Sequence, residues 1–189
     1  MIAHDGRLLT VEPNYGHVIS VTKDGGIRQL IDISASEGHI VPTSIAARAG
    51  SLYVGNLNLF PIDPQWARIL TISPTDADDS YQAAPRLAPP AGYRIASSKA
   101  GFTTVVAVDF GPDELLYVLE LSDGPGYPTP GLGKVVRVLH SGAIEEVVVG
   151  LVVPTGMTFG PDGSLYVSNL GAAPAGAGQI LRIAVTPGW

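Results

Sequence analysis

The chain has 189 residues, of which 46% are hydrophobic and 15% charged, enough apolar side chain to bury the core of one domain or two small ones. Its 17 acidic and 11 basic residues give a formal net charge of −6, which excludes nucleic acid and anionic membrane surfaces as expected partners. It contains no cysteine, which excludes disulfide frameworks, zinc-thiolate sites, iron–sulfur clusters and thiol nucleophiles.

The N-terminal residues do not follow the pattern of a targeting signal. The first seven residues lack the basic-then-apolar order of a secretory leader. No apolar run approaches the roughly 20 residues that span a bilayer. We therefore expect the polypeptide as given to carry neither a leader nor a membrane-spanning helix.

Four segments of the chain share one pattern and align without gaps. Each begins with a turn dipeptide, or with one residue of it, continues with a short run rich in Leu, Tyr and Val, and ends with a polar side chain. The four segments are residues 5–12, 49–56, 113–120 and 162–169. Short apolar runs between turn residues are typical of buried strands. Their shared leucines are 44, 64 and 49 residues apart, close to the roughly 40–50 residues of one four-stranded propeller blade.

The segments around these runs repeat in the same order. An apolar strand precedes three of the runs, at residues 41–48, 104–111 and 153–160, and Gly-Pro-Asp joins the two strands at 111–113 and 160–162. Proline presets such a turn, so the two strands form a hairpin. A third, alternating strand follows each run, and a more polar fourth strand follows two of them, as expected at a sheet edge. Each unit is therefore a meander of strands A, B, C and D.

We predict an all-β fold, a β-propeller of about three and a half four-stranded blades that forms part of a six-bladed ring. The expected divisions are a partial blade with strands B, C and D at 1–40, a blade at 41–102 with an insertion at 74–92, a blade at 103–152, and a partial blade with strands A, B and C at 153–189. The insertion contains Asp76, Asp78 and Asp79, but their spacing does not fit an EF-hand calcium loop. We expect a solvated loop there.

The two terminal units are expected to be incomplete. Met1 to His4 align with the end of strand A, and the chain stops after the strand C of its last unit. A blade without its innermost strand exposes an apolar edge. We therefore expect a chain cut at its N-terminus, about half of a larger propeller, whose open blade edges pair with a second copy or with the missing half.

The repeats resemble a known family. Residues 41–57, 102–121, 153–172 and 178–183 are similar to the ScyD/ScyE family, NHL-like β-propeller proteins named after members of the cyanobacterial gene cluster for the pigment scytonemin. The resemblance covers nearly the whole chain. It implies a propeller fold, further blades upstream, and an exported protein located outside the cell or in the periplasm. It implies no common reaction and no catalytic residues.

Polar residues end the four B strands and are the first candidate site. They are Glu12, Asn56, Glu120 and Asn169. Equivalent positions of successive blades lie at one end of the propeller, so these side chains would form an arc that binds a polar ligand or a metal ion through oxygen. The alternative is that they cap the strand ends and bond to the loop backbone.

Aromatic residues on the B–C loops are the second candidate. Trp66 and Tyr127, together with Phe60, lie on long loops next to the polar arc. Exposed aromatic side chains are typical of binding surfaces. They can equally cover the ends of the blades, and both interpretations stay open.

We predict a non-catalytic module that binds a small molecule or a protein, with no catalytic residue, metal ligand or cofactor. The alternative is a metal-dependent lactonase or esterase of the gluconolactonase-like propeller class, with calcium as its metal. That class is identified by an Asn before strand A, whereas this sequence has Thr43, Thr103 or Thr104, and Thr155 at those positions. A third interpretation is a degraded gene product without a separate role.

Overall fold

The computed structural model describes residues 1–59, 61–63, 66–75, 92–124 and 128–186. Within these residues the chain forms strands arranged in four sheets and one short helix, α1 (Ser34–Glu37). No helix of this part of the chain is long and apolar enough to cross a membrane. The all-β prediction is confirmed.

The sheets follow one another along the chain and are called blades 1 to 4. Blade 1 consists of β1 (Ile2–His4), β2 (Arg7–Glu12), β3 (His17–Val21) and β4 (Ile27–Asp32). Blade 2 consists of β5 (Pro42–Arg48), β6 (Ser51–Asn56), β7 (Ala67–Pro74) and β8 (Tyr93–Phe102). Blade 3 consists of β9 (Val105–Phe110), β10 (Leu116–Glu120), β11 (Gly133–Val138) and β12 (Ile144–Leu151). Blade 4 consists of β13 (Gly156–Phe159), β14 (Leu165–Asn169) and β15 (Gln179–Ile183).

Each blade is an antiparallel meander, and the four blades are arranged as a β-propeller. The strand order follows the chain in every sheet, so strands A to D run from one edge of the blade to the other. The inner strands of neighbouring blades contact each other: β1 contacts β5, as does its neighbour β2, β5 contacts β9, and β9 contacts β13. This radial packing of meanders is the propeller that the repeats predict.

The structure corrects the strand count of blade 1. We expected strands B, C and D alone, but β1 pairs with β2 from Ile2 opposite Leu9 to His4 opposite Arg7. The turn between them, Asp5-Gly6, has φ of 46° and 72°, as a two-residue hairpin requires. The strand has only three residues, too few to form a recognisable apolar run.

Of the predicted insertion at 74–92, residues 76–91 lie outside the described part of the chain.

Alternation along the strands gives each blade two apolar faces. The backward face contacts the preceding blade, and its B-strand residues include Leu52, Leu116 and Leu165, all buried. The forward face contacts the following blade and carries Tyr53 and Tyr117. Since side chains alternate with a period of two, one strand supplies both faces.

Three hydrophobic clusters fill the joints between successive blades. The first joins blades 1 and 2, the second blades 2 and 3, and the third blades 3 and 4. Each fully buried Leu or Ile side chain contributes about 1.5–3 kcal/mol. The apolar core therefore lies between the blades, and each blade depends on its neighbours.

Polar and aromatic contacts align the blades at these joints. Thr43 Oγ1 on blade 2 donates a hydrogen bond to the carbonyl of Val105 on blade 3, at 2.6 Å. The ring of Phe110, at the end of β9, meets Tyr53 edge to face with centroids 4.9 Å apart. Asp109 Oδ2 accepts a bond from the backbone N–H of Phe159 at 3.2 Å and so joins blades 3 and 4.

Candidate functional site

The predicted polar arc lies at one end of the blades, which we call the loop end. Glu12, Asn56, Glu120 and Asn169 are the last residues of β2, β6, β10 and β14. Because strands alternate in direction, the B–C loops and the connections from one blade to the next lie at this same end. The A–B and C–D turns lie at the opposite end, which we call the turn end.

Glu120 is a buried carboxylate at the loop end, only 1% exposed. Its Oε2 accepts a hydrogen bond from the backbone N–H of Thr103 at 2.6 Å, and its Oε1 lies 3.8 Å from Lys134 Nζ. Burial raises the pKa of Glu120 above the usual 4.5, against the opposing effects of the Thr103 N–H and Lys134. The side chain fixes the connection between blades 2 and 3.

Lys134 neutralises a group of carboxylates around Glu120. Its Nζ donates to Asp123 and lies 3.6 Å from Glu146 Oε1. Burial lowers the pKa of Lys134, but the hydrogen bond to Asp123 and the nearby carboxylates outweigh it, so the pKa is raised overall. Chiefly because of the bond from Lys134, the pKa of Asp123 is lowered. The ammonium group is thus the positive charge that these three carboxylates share.

The other three strand-end side chains also bond to backbone groups at the loop end. Asn56 Oδ1 accepts from the N–H of Arg68 at 2.8 Å, and Asn169 Oδ1 accepts from the N–H of Val152 at 2.8 Å. The carboxylate of Glu12 accepts from two N–H groups of its own hairpin, at 2.9 and 2.7 Å. All four residues therefore have the capping contacts that the sequence left open as the alternative. A ligand-binding role for them stays a prediction.

Of the three aromatic residues on the B–C loops, the structure describes one. Trp66 is 52% exposed on the B–C loop of blade 2. Its carbonyl accepts a 3.4 Å hydrogen bond from Asn56 Nδ2, and its N–H donates to Asp63 O at 3.0 Å. The loop backbone is thus tied to the polar arc while the indole faces solvent. Tyr127 and Phe60 lie outside the described residues.

The threonines at the expected lactonase metal positions bond to the protein. Thr43 and Thr104 donate to backbone carbonyls at 2.6 and 2.7 Å, and Thr155 donates to Ser168 Oγ at 3.2 Å. Thr103 Oγ1 donates to Asp123 Oδ1 at 3.1 Å. A hydroxyl that donates its proton to the protein is a weak metal ligand, so these residues fit a calcium site poorly. Among the described residues no group of three His, Asp or Glu side chains is placed to hold a metal ion.

Strand periodicity alone does not reveal the charged cluster, but the sequence has a pattern that accompanies it, a polar residue at the start of each strand C. The second residue of strand C is polar in blades 2 and 3, where Arg68 and Lys134 lie beside the ends of the B strands. In blades 1 and 4 the first residue of strand C takes this place, in the pairs Glu12–His17 and Asn169–Gln179. Cross-strand pairs of this kind stabilise neighbouring strands. Alternation within strand C indicates only a strand, so it does not identify Lys134 as a partner of Glu120.

No protein-family model and no curated protein sequence matches the chain. Solved structures do match. A streptogramin B lyase shares 16% identity at a TM-score of 0.53, over 99% of this chain and 54% of the lyase. A protein described as a putative gluconolactonase shares 18% identity at 0.53, over 97% of this chain and 62% of the other.

A third solved structure matches the chain with similar identity, coverage and TM-score. A protein described as a putative oxidoreductase (glucose dehydrogenase), from Thermus thermophilus, shares 14% identity at a TM-score of 0.54, over 94% of this chain and 62% of its own. The chain therefore spans between about half and two-thirds of the length of these proteins. At such low identity, the similarity establishes the β-propeller fold.

Proposed function

We propose that the chain is a non-catalytic binding module of a propeller protein. It holds a small molecule or a protein at the loop end of its blades, with Trp66 and Tyr127 as contact residues. The observation that carries the proposal is how the polar arc is bonded: the side chains of Glu12, Asn56, Glu120 and Asn169 each accept hydrogen bonds from backbone N–H groups at the loop end. Loops held in this way present a preorganised surface, which lowers the entropic cost of binding.

The contacts of Glu120 weigh against an acid–base role. A general acid or base must reach the proton that it transfers. The Glu120 carboxylate is buried and already contacts the Thr103 N–H and Lys134. A substrate would have to displace one of these partners, at the cost of unpairing a buried charge.

Tryptophan fluorescence tests the proposed binding surface. The variant W189F leaves Trp66 as the single tryptophan, since the chain has two. We expect members of a fragment library to change its emission saturably, and calorimetry to show the same ligands binding more weakly to W66A. If no fragment perturbs Trp66, or if W66A binds every hit unchanged, the loop end is not the binding surface.

The second candidate function is hydrolysis of lactones or related esters. It is favoured by the similarity to the protein described as a gluconolactonase and by the raised pKa of Glu120, a feature of many catalytic acids. Calcium-dependent turnover of gluconolactone, lost in E120Q but kept in K23Q on the exposed C–D turn of blade 1, would establish this function and refute the first. Binding to Trp66 without turnover or calcium uptake would favour the binding module.

We also propose, from the ScyD/ScyE resemblance, that the chain belongs to an exported protein. This places it outside the cell or in the periplasm. Fractionation of the source organism, followed by peptide mass spectrometry, tests the location. Peptides confined to the cytoplasmic fraction would refute export without affecting the binding proposal.

We propose, finally, that two copies associate head to tail through open blade faces. The forward face of blade 4 exposes Ile180 (70%) and carries the half-buried Tyr166. The backward face of blade 1 exposes Leu8 (44%), which pairs with Val21 in the register of that sheet. Leu8 corresponds to Leu52, Leu116 and Leu165, which are buried against a preceding blade.

These two open faces match the two sides of the internal joints. In the joint between blades 3 and 4, the backward face of blade 4, which carries Leu165, packs against the forward face of blade 3, which carries Tyr117. In the same way, the forward face of blade 4, which carries Tyr166, would pack against the backward face of blade 1 of a second copy, which carries Leu8. Two such contacts would give a ring of eight blades, two more than the six-bladed ring predicted from the repeats and at the upper limit of the usual range of about 4 to 8. Sedimentation velocity at micromolar concentration should show twice the 19.6 kDa of one chain. A well-folded monomer would refute the association.

A further inference from the structure

A cavity of about 320 Å³ lies between blades 2 and 3. It is lined by Arg48, at the end of β5, and by Glu114 and His140, which belong to the A–B and C–D turns of blade 3. It therefore opens at the turn end, opposite the loop end considered above. Its volume is within the range of small-molecule sites, about 300–1,000 Å³.

The floor of the cavity is apolar and aromatic. Tyr53 and Ile69 line it from blade 2, and Phe110, Leu116 and Val138 line it from blade 3. The Tyr53 and Phe110 rings are nearly perpendicular, at an interplanar angle of 79°. Such walls accept a flat hydrophobic group, because aromatic rings pack well edge to face or offset.

The rim of the cavity is basic although the chain is acidic. Arg48, Lys99 and His140 line it, with Glu114 as the acidic residue among the described lining. The Arg48 guanidinium lies 5.0 Å above the Phe110 ring, which holds it at the boundary between floor and rim. Lys99 Nζ donates to the carbonyl of Gly142 at 2.6 Å, so its ammonium is also held in place.

Glu114 occupies the position where Arg48 would bind an anion. Its Oε2 lies 2.6 Å from Arg48 Nη2, but its side chain is 73% exposed. An exposed ion pair contributes little stability. An incoming carboxylate can therefore replace Glu114 on the guanidinium at low cost, and can form a bidentate pair there.

We propose that this cavity binds a small aromatic carboxylic acid. The ring would lie on the Tyr53–Phe110 floor and the carboxylate would pair with Arg48, with Lys99 adding a second positive charge. A neutral ring compound would gain no charge-assisted bond to Arg48, and an aromatic amine would be repelled by the basic rim. The site lies at the opposite end of the blades from the loop end, so its test is independent of the proposed function.

Calorimetric titration of the full chain with 3-phenylpropionate tests the site. We expect saturable binding that is at least about tenfold weaker for the neutral amide, since a charge-assisted pair is lost. R48Q should weaken binding to a similar extent and K99Q by less. E114Q should strengthen it several-fold, because the competing carboxylate is removed while the fold is retained.

Two substitutions elsewhere serve as matched controls. R94Q lies on β8, the same strand as Lys99, and K23Q lies on the exposed C–D turn of blade 1. Both should leave the affinity unchanged. Equal affinity for acid and amide, no binding up to about 10 mM, an unchanged affinity in E114Q, or an equal loss in R94Q would each overturn the proposal. If R48Q fails to fold, E114Q and K99Q decide the outcome.

Discussion

Blades 3 and 4 carry the same three side chains on their forward faces but in different surroundings. In blade 3, Tyr117 donates to Asp113 Oδ2 at 2.9 Å, and Arg137 donates to Tyr117 Oη at 3.3 Å. In blade 4, Tyr166 donates to Asp162 Oδ2 at 3.1 Å, and Arg182 donates to the same oxygen at 2.9 Å. The Arg137 side chain is 10% exposed and that of Arg182 is 63% exposed.

The difference between them comes from the neighbouring blade. Phe159 of blade 4 meets the Tyr117 ring edge to face at 4.9 Å, and the carbonyl of Thr186 accepts a 2.5 Å bond from Arg137. The forward face of blade 4 shows no such cover among the described residues. The Asp–Tyr–Arg triad therefore forms within a single blade, and the next blade adds burial and two further contacts.

The largest expected effect is that of removing the buried tyrosine. Y117A should lower the free energy of unfolding by about 3–5 kcal/mol, because it deletes a fully buried ring and its contact with Phe159. Y166A should lower it by less than about 1 kcal/mol. Urea unfolding at a protein concentration too low for association measures both. Equal losses would show that the two faces are covered to the same extent.

Replacing the two arginines should give a smaller contrast. R137Q loses charge-assisted bonds to Glu145, Tyr117 and Thr186, and we expect a loss of about 1.5–3 kcal/mol. R182Q removes an exposed ion pair and should leave the urea midpoint of the monomer unchanged. A larger shift for R182Q than for R137Q would contradict the comparison.

Two glycines test how firmly each tyrosine is held. A Cβ at Gly111 would lie 2.5 Å from Tyr117 Cε2, and a Cβ at Gly160 would lie 2.6 Å from Tyr166 Cε2. Tyr117 cannot move because Phe159 covers it, so G111A should cost about 1–3 kcal/mol through overpacking. Tyr166 can turn toward solvent, so G160A should lower the melting temperature less. The reverse order would mean that the ring of Tyr166 is the more confined one.

The smallest contrast is in the dependence of stability on pH. Glu120 of blade 3 corresponds to Asn169 of blade 4, which does not titrate. Because the folded pKa of Glu120 is raised above 4.5, its contribution to stability is fully present below pH 4.5 and is lost as the pH rises through the folded pKa. E120Q should therefore show a flatter stability profile than the wild type in this range. Identical profiles would refute the raised pKa.

Asp162 should give the opposite slope. The backbone N–H of Ser164, followed by Arg182, lowers its pKa from 3.8 to about 2. Its contribution is present above pH 3.8 and is lost as the pH falls toward 2. D162N should remove this part of the acid sensitivity, while K23Q on the exposed C–D turn of blade 1 serves as a control. Melting temperatures between pH 2 and 5 measure the effect.

The fold was predictable from sequence because the B strands repeat a distinctive pattern. Leu116 and Leu165 stand at equivalent positions of apolar runs and pack on the backward faces as a strand period of two requires. The inner strand Ile2–His4 was not predictable, since its three residues depend on pairing with β2 rather than on their own pattern.

The candidate site was predictable only in part. The position of Glu120 at a strand end follows from the repeat, but its partners Thr103 and Lys134 come from another segment and another strand. Periodicity within one strand does not reveal such contacts. The basic cavity at the turn end combines Arg48 with Lys99 and His140 across two blades, which depends on how the blades pack.

One mixing experiment tests most directly the claim that the forward face of one blade packs against the backward face of the next, within one chain and between two copies. L8E damages the backward face of blade 1, and I180E damages the forward face of blade 4, so either variant alone should sediment as a monomer. A one-to-one mixture retains one intact contact and should form a complex of twice the 19.6 kDa chain mass. A mixture that stays monomeric while the unmodified chain dimerises, or a single variant that dimerises as the unmodified chain does, would contradict the account.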